Sequence, residues 1–204
     1  MNTAHKSFEI KVRTFTQHLD SSSIFANTQP VWLEIGFGVG KFLLEMCRMF
    51  PCINFIGLEN DGLRHKNMLD KLYKRSISNV RILYGNAALS VKYLFSPESV
   101  EAVFINFPDP WPKDRHEKNR LFTAEFACSL ASIVSPRGHV RIITDVLSYA
   151  EHIEMLMIGS RAFKKSECFE PPIQFPTTTF QDRFIEESIP FYPAVFRKVE
   201  YAEP

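Results

Sequence analysis

The chain has 204 residues, with 24 Lys and Arg against 23 Asp and Glu, a formal net charge of +1 that excludes a global electrostatic pull on any polyanion. Hydrophobic residues make up 45% and charged residues 23%, and no Gly/Ser-rich linker, internal repeat or membrane-length apolar run interrupts the chain. One domain with a sizeable core is therefore expected, and any nucleic-acid contact has to come from a local patch.

The N-terminal stretch MNTAHKSFEIKVRTF has no apolar signal segment, so a cytoplasmic location is expected. Residues 1–30 are polar, with SSS at 21–23, and read as a flexible arm ahead of a folded domain over 31–204. Strand-length apolar runs follow at 31–35, 53–58, 80–84, 100–107 and 139–144, separated by helix-period segments at about 40–50, 62–75, 87–95, 119–134 and 146–159. Continuous rather than alternating hydrophobicity in these strands means that both faces are covered, which predicts an α/β fold: a mainly parallel sheet with helices on both faces. After residue 160 no helical period is evident, and FYPAVFRKVEY predicts a last strand in a C-terminal edge hairpin. Cys47, Cys52, Cys128 and Cys168 form no CxxC pair and predict buried free thiols, with no metal site.

The first strand ends VWLEIGFGVG, where Gly36, Gly38 and Gly40 let the backbone turn tightly and approach a ligand. A merely tight turn is the alternative. A dinucleotide fingerprint wants its third glycine at position 41, which is Lys41. Glu34 is costly at the end of a buried strand unless it meets a cation, and a carboxylate repels a pyrophosphate but pairs with an ammonium group. S-adenosylmethionine carries such a group and no phosphate. Glu59 falls about 20 residues later, where an acid can take both ribose hydroxyls. Asn60 beside it, and Asn86 with Ala87 after the third strand, suit an adenine.

The fourth strand runs into NFPDPWPKDRHEKNR. Three alternating prolines fix φ and bias the residues before them towards extended backbone, holding Asp109 stiffly at the mouth of the sheet. A carboxylate beside the exposed indole of Trp111 suits a purine. Lys113, Arg115, His116, Lys118 and Arg120 then form a cationic run, either a solvated helix start or a local phosphate-contact patch.

In LEIGFGVG, GLEN, GNA, FPDPWPKDRH, the pair Thr144 and Asp145, and TTFQDRF, the chain resembles the bacterial tRNA (guanine-7)-methyltransferase family over about residues 31–196. The resemblance implies a Rossmann-like S-adenosylmethionine-dependent methyltransferase fold over 31–204 and methylation of a variable-loop guanosine in tRNA, by a monomer or homodimer without a membrane anchor. It implies cofactor contacts at Glu34, Glu59, Asn86 and Asp109, with Asp109 also the catalytic carboxylate, and substrate contacts at Lys113, Asp145, Thr178 and Gln181. Two positions depart from the family pattern: Gln181 stands where the motif T-x-[YF]-E has Glu, and Ser188 where a glycine is common.

Nitrogen 7 of guanine carries an in-plane lone pair and no proton, so no base is needed before attack and positioning is expected to dominate catalysis. An exocyclic-amine methyltransferase is the rival enzyme, but Asp109-Pro110-Trp111-Pro112 lacks the adjacent proline pair of [ND]-P-P-[YFW]. A noncatalytic tRNA-binding protein is the rival from another class, and the intact cofactor acids speak against it.

Overall fold

The computed structural model describes residues 8–12, 14–75, 77–111, 120–169 and 172–199. In chain order the elements are β1 (Glu9–Ile10), α1 (Ser21–Phe25), β2 (Val31–Ile35), α2 (Lys41–Met49), β3 (Asn54–Glu59), α3 (Gly62–Arg75), β4 (Val80–Tyr84) and α4 (Ala87–Leu94). There follow β5 (Val100–Asn106), α5 (Ala124–Ile133), β6 (Val134–Thr144), α6 (Leu147–Gly159), β7 (Phe163–Ser166), α7 (Thr179–Glu186) and β8 (Tyr192–Lys198). One eight-stranded sheet has the order β1-β4-β3-β2-β5-β6-β8-β7, parallel except that β8 runs antiparallel to both β6 and β7.

Both faces of the central strands are buried, as their unbroken apolar runs require. Leu33, Ile35, Val103 and Ile105 pack on one face with Leu94, Leu130 and Ile153 from α4, α5 and α6. Trp32 and Phe104 pack on the other with Leu43, Met46, Met68 and Leu72 from α2 and α3. The strand order reverses between β2 and β5, which open a crevice at their C-terminal ends.

Three expectations need correction. Described residues of the stretch read as a flexible arm are tied down at three points: Ile82 N–H donates to Phe8 C=O at 2.7 Å, Leu19 N–H donates to Leu94 C=O at 2.6 Å, and the Phe25 ring is buried beneath the Arg81 guanidinium. A two-residue strand and a five-residue helix carry too little periodicity to be read from sequence. All four cysteines are free, but only Cys47 is buried; Cys52, Cys128 and Cys168 are exposed, Cys128 because it sits off the Phe126–Ala127–Leu130 stripe of α5. The β7–β8 pair forms the expected antiparallel edge, yet its connection contains α7, inside the segment judged to have no helical period.

Candidate active site

A cleft of about 680 Å³ opens at the C-terminal ends of β2–β5, within the range of small-molecule sites. Gly36, Glu59, Asn60, Asn86, Ala87, Asp109, Trp111 and Arg120 line it, together with Arg64 and Asn106, which the sequence reading missed. Residues from four separate loops therefore converge on one space.

The glycine turn is built as its composition demands, with φ of 75°, 55° and 78° at Gly36, Gly38 and Gly40. Gly40 serves packing, because a Cβ there would stand 2.6 Å from the Met68 sulfur. Glu59 is buried and holds the turn from the neighbouring strand: one oxygen accepts the Gly38 N–H at 2.8 Å, the other accepts the N–H groups of Asn60 and Asp61 at 2.9 and 3.0 Å. The acid expected to meet a ribose thus also shapes the cradle. Asn86 caps α4 by accepting the Leu89 N–H at 3.0 Å, which leaves its NH₂ group available on the cleft wall.

Glu34 is 3% exposed and does not itself line the cleft. Asn106 Nδ2 donates to one oxygen at 3.3 Å, and among the described residues the other oxygen has no partner. Burial pushes its pKa up to about 8, the Asn106 bond opposes that rise, and the charge of Glu59 adds to it. An orphaned buried carboxylate oxygen is costly, and a cationic ligand group would relieve it.

The proline loop departs from expectation. Phe107 and Trp111, each followed by proline, have φ of 53° and 42° rather than extended backbone. Tertiary anchoring overrides the local preference: Phe107 N–H donates to Ile143 C=O at 2.7 Å, and its ring lies 5.7 and 5.3 Å from those of Phe180 and Phe184. Arg120 Nε donates to the carbonyls of Pro110 and Trp111 at 3.2 and 3.3 Å, so Arg120 clamps this loop. Asp109 is exposed at the rim between these two left-handed residues. Lys113, Arg115, His116 and Lys118 lie outside the described residues.

Thr178 and Gln181 are not on the cleft wall. They form a reciprocal cap on α7: Thr178 Oγ1 accepts the Gln181 N–H and Gln181 Oε1 accepts the Thr178 N–H, both at 3.0 Å. The T-x-x-Q spacing was the signal for α7 that the sequence reading passed over. The neighbouring Lys41 Nζ donates to Asp182 at 2.5 Å and to Thr177 Oγ1 at 3.0 Å, so α7 is held against the first turn of α2. This arrangement explains the departure at position 181, since an amide oxygen caps as a carboxylate oxygen does. Gln181→Glu is expected to change the single-turnover rate of the implied reaction by less than about tenfold, whereas Gln181→Ala is expected to lower stability by about 1 kcal/mol in urea unfolding. Ser188, at φ 54°, takes the left-handed conformation for which the family's glycine is suited, so the turn after α7 is retained. Asp145 is exposed just beyond β6.

The protein family described as "Putative methyltransferase" matches residues 28–194. A tRNA (guanine-N(7)-)-methyltransferase of Nitrosomonas eutropha is 34% identical over 167 residues, covering 81% of this chain and 75% of the relative. One of Nitrosospira multiformis is 30% identical over 186 residues, covering 90% and 81%. Among solved structures, the 16S rRNA methyltransferase KamB superposes with a TM-score of 0.64 at 14% identity over 88% of this chain and 92% of its own, a likeness of fold. With a cleft at the β2/β5 switch point, a glycine cradle held by an acid and matches over most of its length, this chain belongs to the tRNA (guanine-N(7)-)-methyltransferase family.

Proposed function

We propose that the protein transfers the methyl group of S-adenosylmethionine to nitrogen 7 of a variable-loop guanosine in tRNA, as a monomer or homodimer in the cytoplasm. The observation that carries this reading is the convergence of Glu59, Asn60, Asn86 and Asp109 on one cleft in a chain of this family.

The residues present suit the cofactor. The orphaned oxygen of Glu34 is complementary to its ammonium group, the glycine turn admits close backbone approach, and Glu59, which already accepts three N–H groups, keeps one lone-pair site on Oε2 for a ribose hydroxyl. The NH₂ group of Asn86, with Asn60 and Ala87, faces the space for adenine. When bound, S-adenosylmethionine supplies an electrophilic methyl on a sulfonium, which a guanine N7 lone pair accepts without prior loss of a proton. Asp109 therefore acts by position and charge, orienting the purine and stabilising the positive charge that develops on it. Trp111 offers the purine a stacking face, and Arg120 holds the loop that carries Asp109 and Trp111 through the carbonyls of Pro110 and Trp111. Lys113, Arg115, His116 and Lys118 supply phosphate contacts, Asp145 contacts the substrate, and the cap formed by Thr178 and Gln181 supports α7, whose Phe180 and Phe184 pack on Phe107 at the cleft. Among the described residues no cluster suited to a metal ion occurs and no helix is long and apolar enough to cross a membrane.

The deciding experiment incubates the protein with tRNA and methyl-labelled S-adenosylmethionine, digests the RNA and identifies the labelled nucleoside. Label in 7-methylguanosine from the variable loop is expected. Label in another nucleoside, or none, overturns the assignment.

A further inference from the structure

Arg141, in the middle of β6, is a charged residue that the reading above leaves without a task. It is half-buried, with its guanidinium 5.0 Å from the Phe175 ring centroid, and among the described residues its hydrogen bond is to Asn106 Oδ1 at 3.4 Å. Burial holds its pKa down to about 10, so the site keeps a cation there at a desolvation cost. The sheet register explains the alignment. Glu34 pairs with Phe104 and Phe104 with Arg141, which places Glu34, Asn106 and Arg141 on one face across three adjacent strands. Asn106 spans the two charged groups, its oxygen towards Arg141 and its NH₂ towards Glu34.

A primary amide has two orientations related by a flip, and its neighbours decide between them. An arginine has donors and no acceptor, so it fixes the Asn106 oxygen on its own side. The NH₂ group is thereby directed at Glu34, where it favours the carboxylate. In the flipped state the amide oxygen would face Glu34 and favour the protonated acid, which can donate to it. We infer that Arg141 is a positioning residue that holds the Asn106 amide in the orientation favouring ionised Glu34, and so sets the charge with which the protein meets the cofactor's ammonium group. This rests on the cofactor assignment made above.

The balance at Glu34 is close enough for such a device to matter. Burial and Glu59 on β3 both favour the neutral acid, while Asn106 on β5 opposes them. Cys47 on α2 is itself pushed towards the neutral thiol, and Lys41 on the same helix is engaged with Asp182 on α7. Since the pKa stands near 8, the ionised fraction at neutral pH is small, and a further rise reduces it in proportion.

The test measures S-adenosylhomocysteine affinity by calorimetry from pH 6 to 9 for the wild type and for Arg141→Met. The ligand's own amino group titrates in this range, but the ratio of the two affinities cancels it. For a one-unit rise in the Glu34 pKa, the variant binds about tenfold more weakly at pH 7 and only about twofold more weakly at pH 9. Arg141→Gln replaces a donor-only group by one that can donate or accept, so it no longer holds Asn106 to one orientation and is expected to give a pH-dependent ratio in the same direction; it decides the matter if Arg141→Met does not fold. A ratio that stays constant across pH, or no loss at all, overturns the role of Arg141 while leaving the cofactor assignment intact. A wild type that binds neither S-adenosylhomocysteine nor S-adenosylmethionine at any pH overturns both.

Discussion

Asp109→Asn lowers single-turnover methylation by about 10²–10³-fold, the scale for removing one preorganised electrostatic group, while tRNA affinity stays within a few-fold of the wild type. The substitution keeps size and one acceptor oxygen but removes the charge that, in the proposed reaction, meets the purine as it becomes cationic. Its small effect on binding follows from location. Asp109 sits at the cleft rim in a loop fixed by Arg120 and by the packing of Phe107, so the variant has the same loop and the same RNA surface. Rapid mixing of saturated enzyme with labelled cofactor, with tRNA binding measured separately, distinguishes the two quantities. Retained turnover would remove the carboxylate's charge from the chemistry.

Glu59→Ala is expected to weaken cofactor binding by more than about 200-fold, beyond the 1.5–3 kcal/mol of a typical charge-assisted hydrogen bond. Glu59 does two things at once. It accepts three backbone N–H groups, from Gly38, Asn60 and Asp61, and it lines the cleft, where the proposed assignment has it meet the ribose. Alanine leaves those three donors without their acceptor and releases the glycine turn, so the loss combines a missing contact with a disordered cradle. Glu59→Gln keeps one acceptor oxygen and is expected to fall between the two. Calorimetry with S-adenosylhomocysteine gives the affinities, and thermal unfolding of the unliganded variants reports the cradle: a lower melting temperature for alanine than for glutamine supports the double role, and equal values refute it.

The central sheet was legible because buried parallel strands leave unbroken apolar runs and their connecting helices have the 3.6-residue period. The acids at 34, 59 and 109 were legible because chemistry-bearing residues at strand ends interrupt those runs. What escaped notice depended on tertiary contacts. The left-handed backbone at Phe107 contradicts the local rule for residues before proline and exists because its ring and N–H are claimed by α7 and β6. The second task of Glu59 depends on where the Gly38 N–H points once the turn is made. Arg141 looked like an ordinary polar residue within an apolar strand; only the register across β2, β5 and β6 shows that it addresses Glu34 through Asn106. Gln181 is the opposite case, where a capping signature was present in TTFQ and the helix it starts was missed.

The two outermost strands bear on how this sheet avoids sticking to others of its kind. An open edge is a row of unpaired backbone groups that can template another chain. On one side, Glu9 and Ile10 pair with Ile82 and Leu83 in the middle of β4, so the first residues of the domain occupy the stretch where a foreign strand would add. On the other, the edge strand β7 is only four residues long and carries the exposed Lys164 and Lys165, whose charges disfavour an incoming apolar strand. A truncation that begins the protein at β2 would therefore unmask β4 while also taking Phe25 out of the core, and solubility is expected to be the first property to suffer.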